Sequence, residues 1–516
     1  MNVIFWGSLL RVIQAVVEAA PTILVGLLVA GIFRRLLAHE GTQRLFGGGS
    51  WRGLLKAWAI GMLLPVCSLG VIPIAREMRK AGIAGGVILA FAMTAPLFNP
   101  LSLLYGLTLS EPLVILAFAM CSLLVVTVVG ALWDRLFPNS SQPEDPPPAP
   151  VAHGWKRMLA VGVAAVRGLA GPTGVYLLVR LPGVSLRSAV LPAGALYVAL
   201  HHGDPWAPLK MAAVAVPAFA TPMLAMGQLG SMFAHANSVG AGFALLALGA
   251  GMNLGLIAWM FRGYGFAKSA TWVAILFGVV IGLCYLVENP LHPHDVEPAG
   301  HSHAFDIYCA PFHHQASNPY GSFVTALQQS IRTDQLYAAG ALGMVLLFGC
   351  VLRIADRRGR IEGWLERPPK PAPGRARKLD VNVPGQVVGG VALVGLVIFS
   401  ILGCYAYYPP KDEAFADMSI INVTVVTSAM SDNRQEAEHF IPLMDDYTRR
   451  MQVGVYIREG ELSRYQRMKA RVYLDKLELL EHELAHDDDP EGIAKLANSV
   501  NLAYRRMRQA FMADQL

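Results

Sequence analysis

The sequence predicts an all-α polytopic membrane protein, built on an inverted repeat with discontinuous helices and extended by a C-terminal, mainly helical extramembrane domain. Three observations carry that expectation: an apolar composition, a succession of apolar runs, and two matching segments interrupted by Gly and Pro. Of 516 residues, 54% are hydrophobic and 15% charged, where soluble domains carry roughly 25% charge. Mean hydropathy is +0.44. Gly 50 and Pro 33 fit the same class, because membrane helices tolerate both better than soluble helices do. An ordinary soluble enzyme is excluded on these grounds.

About eleven runs approach the ~20 apolar residues needed to cross a bilayer. They lie near 12–33, 54–75, 83–107, 112–133, 158–180, 188–203, 207–231, 239–260, 270–288, 336–352 and 386–408. The first reads as a retained span. The loop 353–378 holds nine basic residues against Asp356, Glu362 and Glu366, which makes it cytoplasmic by the positive-inside rule. The loop 289–334, with Arg332 as its one basic residue, and the tail 409–516 then fall outside. Counting spans back places Arg76, Arg79, Lys80, Lys156 and Arg157 inside, but Arg34, Arg35, Arg44 and Arg52 outside, against the rule. The expected localisation is a multi-pass protein of the cell membrane with an exoplasmic tail. Its basic residues punctuate apolar runs and form no nucleic-acid footprint. The partners expected are the lipid bilayer and a protein docking on 409–516; the sequence does not set the oligomeric state. The six cysteines form no disulfide framework: five lie in or beside apolar stretches, and Cys309 sits in a polar loop.

The domain organisation follows: a first repeat 1–137, a Pro-rich linker 138–154, a second repeat 155–288, a His-rich loop 289–335, two further spans in 336–408 with the basic loop 353–385, and the tail 409–516. Ala84–Asn99 aligns without gaps on Ser238–Asn253, and each copy follows a Pro-interrupted stretch, Pro65–Pro73 and Pro217–Pro222. In this count the copies cross in opposite directions. Such a pair of interrupted segments points to a transporter's binding site, because Pro65, Pro73, Pro96 and Pro100 open helices at a depth where irregular backbone survives only beside protein or a water-filled cavity. Candidate pathway residues are Cys67, Ser68, Gly70, Pro73, Thr94, Pro96, Asn99, Pro100, Thr221, Pro222, Gly249 and Asn253. Glu18, an ionisable group within a span, is the candidate for proton coupling. His201, His202 and Asp204 read as interfacial. Kinked helices packed through glycine faces are the plainer alternative.

These motifs carry a resemblance. Cys67-Ser-Leu-Gly-Val-Ile-Pro73, Arg79-Lys-Ala-Gly82, Ala90-Phe91 and Ala95-Pro-Leu-Phe-Asn-Pro100 resemble the signature of the predicted permease family of YraQ-like proteins, which includes organoarsenical (ArsP-like) permeases and proteins described as copper/zinc efflux permeases. The resemblance covers about residues 1–288, including Ser238–Asn253. It implies a permease for a metal ion or metalloid compound, moved outward by secondary transport and alternating access. Where relatives carry Cys-Ser-Cys-Gly, Leu69 replaces the second Cys, and the second-half Cys motif of some relatives is replaced around Ala220-Thr-Pro222.

Two further motifs suggest metal chemistry. His292, His294, Asp295, His301, His303, His313 and His314 concentrate six of fourteen histidines in one loop; imidazoles with carboxylates suit a divalent transition metal as substrate or regulator, and no cofactor is required. The plain alternative is a polar loop rich in His. In the tail, His482-Glu483-Leu-Ala-His486 matches H-E-x-x-H, so a membrane-anchored zinc peptidase is the enzyme alternative, although Asp489 stands where a following glycine belongs. A non-transporting scaffold or metal sensor is the third reading. The tail is predicted to begin with a β-prone run, Ile420–Val426, followed by helices near 432–456, 461–486 and 490–511, the last capped by Asp489 with Pro490 at its first position.

Overall fold

The computed structural model describes residues 2–47, 51–141, 154–179, 182–185, 191, 200–217, 221–293, 305, 308–312, 318–331, 333–367, 383–431, 433–486 and 489–513. The fold is all-α, and no strand forms among the described residues. Contacts divide the chain into two compact units: residues 1–103 with 113–400, and 104–112 with 401–516.

In the first unit, α1 (Asn2–Ile32) runs on through a π-helical turn, Phe33–Leu37, into α2 (Ala38–Phe46). Among the described residues, five helices are long and apolar enough to span a bilayer: α1 with its continuation, α7 (Pro112–Leu136), α14 (Phe266–Glu288), α16 (Thr333–Ala355) and α18 (Gly385–Tyr407). Other predicted spans are broken into short helices. The run 54–75 becomes α3 (Trp51–Leu63) and α4 (Val71–Lys80), and 83–107 becomes α5 (Gly85–Thr94) and α6 (Pro100–Leu109). The run 158–180 becomes α8 (Lys156–Leu169) and α9 (Pro172–Val179); 207–231 becomes α10 (Ala207–Ala215) and α11 (Pro222–Ala234). The run 239–260 becomes α12 (Val239–Ala244, continued by a π segment to Ala250) and α13 (Leu254–Tyr264), bent by 57° at the break. Most of 188–203 lies outside the described residues. Four of these interruptions carry Pro at or beside the break, where its ring and missing N–H stop the ladder.

α1 is the hub, packed against α4, α8, α15 (Pro319–Ser330) and α16. Its small residues permit this. A Cβ on Gly26 would sit 2.5 Å from Gly70 Cα, and one on Gly31 would sit 2.6 Å from the Val161 carbonyl oxygen, so only glycine allows backbone contact there.

One polar face of this unit corrects the span count. Arg35 is buried and donates to Glu366 at 2.9 Å and Glu362 at 3.1 Å, both on α17 (Arg360–Glu366) within the basic loop. Arg167 donates to Asp356 at 2.6 Å, and Arg157 to the Val383 carbonyl at 2.7 Å. Arg35 therefore lies with the basic loop rather than opposite it; the miscount came from treating α3–α4 as a straight span.

The second unit closes on itself. Of its helices, α19 (Lys411–Met430) packs on α20 (Arg434–Glu459) and α22 (Pro490–Met512), and α21 (Arg464–His486) packs on α20 and α22. Phe415, Met418, Met444, Met451, Tyr473, Leu480, Tyr504 and Phe511 fill the core. The β-prone run is helical, a correction with a simple cause: Met418, Asn422, Val425, Val426 and Ala429 are buried at helical spacing, and tertiary packing overrides β-branched propensity.

Asp356 accepts the N–H groups of Ile361 (2.9 Å) and Arg360 (2.7 Å) as well as the Arg167 guanidinium. Those backbone donors first, and Arg167 with them, hold its carboxyl below the usual range. A depressed carboxyl contributes stability above its unfolded value, about 3.9, and loses it only as pH falls through the lower folded value. Hydrogen exchange at the Arg360 and Ile361 amides is therefore expected to show protection that persists from about pH 7 to about pH 4, and that is absent throughout in Asp356→Ala. Equal protection in both proteins would refute this role.

Candidate functional site

Two breaks meet in the first unit. After α3, Pro65 cannot continue the helix, and the chain runs irregularly through Gly70 before α4 begins. The Gly70 N–H lies 3.5 Å from Cys67 Sγ, a weak cap. The fifth break, Gly251–Asn253, precedes α13, and Asn253 bonds on both sides of it. Its Oδ1 accepts the Leu256 N–H at 2.9 Å, capping α13, while its Nδ2 donates to the Ser68 carbonyl at 2.8 Å. Asn253 thus ties the break before α13 to the break before α4. Beside it, the Ser68 hydroxyl is fully enclosed by protein and has no partner among the described residues.

Two further breaks, before α6 and before α11, are capped alike. Asn99 Oδ1 accepts the Ser102 N–H at 2.8 Å, and Ser102 Oγ accepts the Asn99 N–H at 3.0 Å, at the start of α6. Thr221 Oγ1 accepts the Leu224 N–H at 3.1 Å, caps α11 ahead of Pro222, and donates to the Glu18 carboxylate of α1. Each side chain replaces a backbone acceptor that the broken helix has lost.

The remaining predicted pathway residues lie close by in the chain. Thr94 Oγ1 is spent on the Ala90 carbonyl at 2.8 Å. Pro73 is buried in the first turn of α4, Pro96 lies in the break between α5 and α6, and Pro100 opens α6. Gly249 lies in the π segment, where a Cβ would come within 3.1 Å of Ala215 Cβ. Glu18 is half-buried.

The sequence missed two carboxylates. Asp134, near the end of α7, accepts the Gly86 N–H at 2.7 Å at the start of α5. Glu288, ending α14, accepts the Gly240 N–H at 2.6 Å and the Ser238 hydroxyl at 2.8 Å at the start of α12. The pairs 99/253, 86/240 and 134/288 share one constant offset along the chain, as do the starts of α5 and α12, α6 and α13, and α7 and α14. Extending the gapless alignment past Asn99 would have found both acids. A negative charge at a helix start also answers the positive end of its dipole.

The histidines divide. His202 bonds Glu288 through Nδ1 at 2.8 Å, and its ring stacks on His292 at 3.5 Å. His201 pairs with Asn237 in an isolated bridge, and Asp204 is bound by Lys210. His294, Asp295, His301, His303, His313 and His314 lie outside the described residues. His482, Glu483 and His486 occupy the last turn of α21, with Leu484 buried among them. No group of three or more His, Cys, Asp or Glu poised for a metal occurs among the described residues.

Removing the Glu288 carboxylate leaves the buried Gly240 N–H and Ser238 without their acceptor, a loss of about 1–3 kcal/mol. Glu288→Ala is accordingly expected to lower the thermal unfolding midpoint in detergent, with Glu288→Gln restoring most of it. An unchanged midpoint in Glu288→Ala would show that the cap contributes nothing.

Comparisons with known proteins agree with this architecture. Over 91 residues, 18% of this chain and 31% of the relative, the sequence is 33% identical to UPF0718 protein YcgR of Bacillus subtilis (strain 168). Over a stretch of the same length, 30% of that relative, it is 25% identical to the "Putative two-component membrane permease complex subunit" of Streptococcus mutans serotype c. The matched stretch spans about a third of each curated relative. No solved structure matches. The family model described as a predicted permease, ArsP_1, matches residues 7–289, more than half of the chain. This multi-pass membrane protein belongs to the ArsP_1 predicted permease family.

Proposed function

We propose that the chain is a secondary permease that moves a metal ion or metalloid compound outward across the cell membrane by alternating access. The observation that carries the reading is the Asn253–Ser68 bond, which joins two helix breaks at a fully buried polar point. Buried polar groups in a membrane are costly unless they line a pathway or complete one another, and the Ser68 hydroxyl is a buried polar group with no partner among the described residues, which supports a place on a pathway that opens as the protein moves.

An inverted arrangement of the two halves is part of this proposal, and the helix ends support it. Trp133, near the end of α7, touches Tyr264 at the end of α13, with ring centroids 5.1 Å apart. The same end of α7 caps the start of α5 through Asp134, whereas the start of α12 is capped by the end of α14. The start of α5 therefore lies with the end of α13, so that α5–α6 and α12–α13 run in opposite senses. Rocking one half against the other then exposes the Ser68–Asn253 point to each side in turn. In the same reading, the face bearing Arg35, Arg157 and Arg167 is cytoplasmic, the tail is exoplasmic, and Glu18 couples a proton to movement of α11 through Thr221. The metal or metalloid enters as substrate and not as a resident cofactor. No observation favours the peptidase or the scaffold.

The test is uptake into inside-out vesicles holding the full-length protein, offered arsenite, a trivalent methylated arsenical, zinc or copper(I). At least one compound is expected to accumulate above empty vesicles. Asn253→Ala should reduce that flux by about tenfold or more, equivalent to about 1.4 kcal/mol, and Glu18→Gln should abolish its dependence on a proton gradient. Flux equal to that of empty vesicles for all four compounds would overturn the proposal.

A further inference from the structure

Away from the breaks joined by Ser68 and Asn253, a cleft of about 580 Å³ opens on the basic face, between the α8–α9 junction and the end of α16. Its walls include Arg167, Pro172, Arg353, Ile354, Asp356 and Arg357. Three guanidiniums face one carboxylate, and that carboxylate is already engaged by Arg167 and by two backbone N–H groups. Arg353 spends one donor on the Ala170 carbonyl at 2.6 Å, which turns its fork toward the cleft edge. Arg357, one turn further on, is exposed and has no partner among the described residues. The cleft therefore keeps an excess of positive charge with unused planar donors, the chemistry that recognises a phosphate group.

A second observation says what the phosphate is attached to. From the cleft an apolar stripe descends α16: Ile354 is 68% exposed, Val351 50% and Leu347 69%. Their spacing of three and four residues keeps them on one helix face, and α16 is among the helices apolar enough to cross a bilayer. A free phosphate has no use for such a stripe. An acyl chain laid along it ends at the arginines, at the depth where headgroups sit.

We infer that this cleft is a binding site for one anionic glycerophospholipid, its phosphate held by Arg353 and Arg357 with Arg167 behind them, and its acyl chain lying along Leu347, Val351 and Ile354. The site is independent of the transport proposal, because none of these residues belongs to the helix breaks. Arginine suits the task better than lysine because its fork binds phosphate oxygens in pairs.

The experiment uses the full-length protein in detergent, titrated with phosphatidylglycerol or phosphatidylcholine and read by native mass spectrometry. Wild type is expected to retain one phosphatidylglycerol in preference to phosphatidylcholine. Arg353→Gln/Arg357→Gln should weaken that retention about tenfold or more, while Arg135→Gln, an exposed arginine elsewhere, leaves it unchanged. Because Arg353 also holds the Ala170 carbonyl, Arg357→Glu alone is the second variant, and it should weaken retention without altering the unfolding midpoint. Equal retention of the two lipids, equal retention by the Arg357→Glu protein, or displacement of the lipid by millimolar inorganic phosphate would each overturn the assignment.

Discussion

In hydrocarbon, a helix can be interrupted only where protein re-satisfies the freed N–H and carbonyl groups. The Asn253–Ser68 bond is where this constraint bears hardest. One amide side chain caps α13 and, with its other end, supplies a donor to an irregular carbonyl in a different break. Neither break could stand alone at that depth without an orphaned group. The same requirement explains why the caps at the remaining breaks, Asn99 and Thr221, are short polar residues with their acceptors turned back on the helix start. Four of the five breaks carry a proline that prevents continuation, and at the breaks before α6, α11 and α13 asparagine or threonine supplies the acceptor that the helix start lacks.

Once the breaks are fixed, the long helices must hold the short ones in place. α1 does this by close approach: Gly26 meets the Gly70 backbone at a distance that admits no Cβ. Asp134 and Glu288 do it electrostatically, each accepting a buried N–H at the start of a short helix from the end of the long helix that closes its half. At the polar face, Arg35 is buried between two carboxylates. A buried cation with one partner removed is expensive, typically by 3–5 kcal/mol, so the doubled acceptor keeps the end of α1 registered against α17 at little risk.

Much of this was legible in the sequence. The apolar runs predicted a polytopic all-α protein, and Ala84–Asn99 against Ser238–Asn253 located the matched segments. The helices of the tail came within a few residues because Asp489-Pro490 is a strong start signal. What was hidden has physical reasons. Run length cannot distinguish a straight span from two short helices, so Arg35 was placed on the wrong face. β-branched residues at Ile420–Val426 advertise a strand locally, and only the burial of Met418, Asn422 and Val425 reveals the helix. Asp134 and Glu288 differ in residue type, so identity-based matching passed over them although their role is the same.

The lone thiol of the first break can now be understood from its counterpart. At the common offset, Cys67 corresponds to Thr221. The side chain of each approaches the N–H three residues ahead, Cys67 Sγ to Gly70 and Thr221 Oγ1 to Leu224. Thr221 occupies the N-cap position of α11, whereas Cys67 lies three residues before Gly70, the N-cap of α4, and its sulfur is a weaker acceptor than a hydroxyl. The hydroxyl can also donate, and it does so to Glu18, which the thiol has no matching carboxylate to meet. The two halves thus carry unlike polar contacts at equivalent points of the chain: in the first, a thiol near the Gly70 N–H with the fully buried Ser68 hydroxyl beside it, and in the second a helix cap tied to an ionisable group on α1. The difference follows from the chemistry of the two side chains, because the threonine hydroxyl accepts well at a helix start and at the same time donates to a carboxylate, whereas a thiol does both weakly.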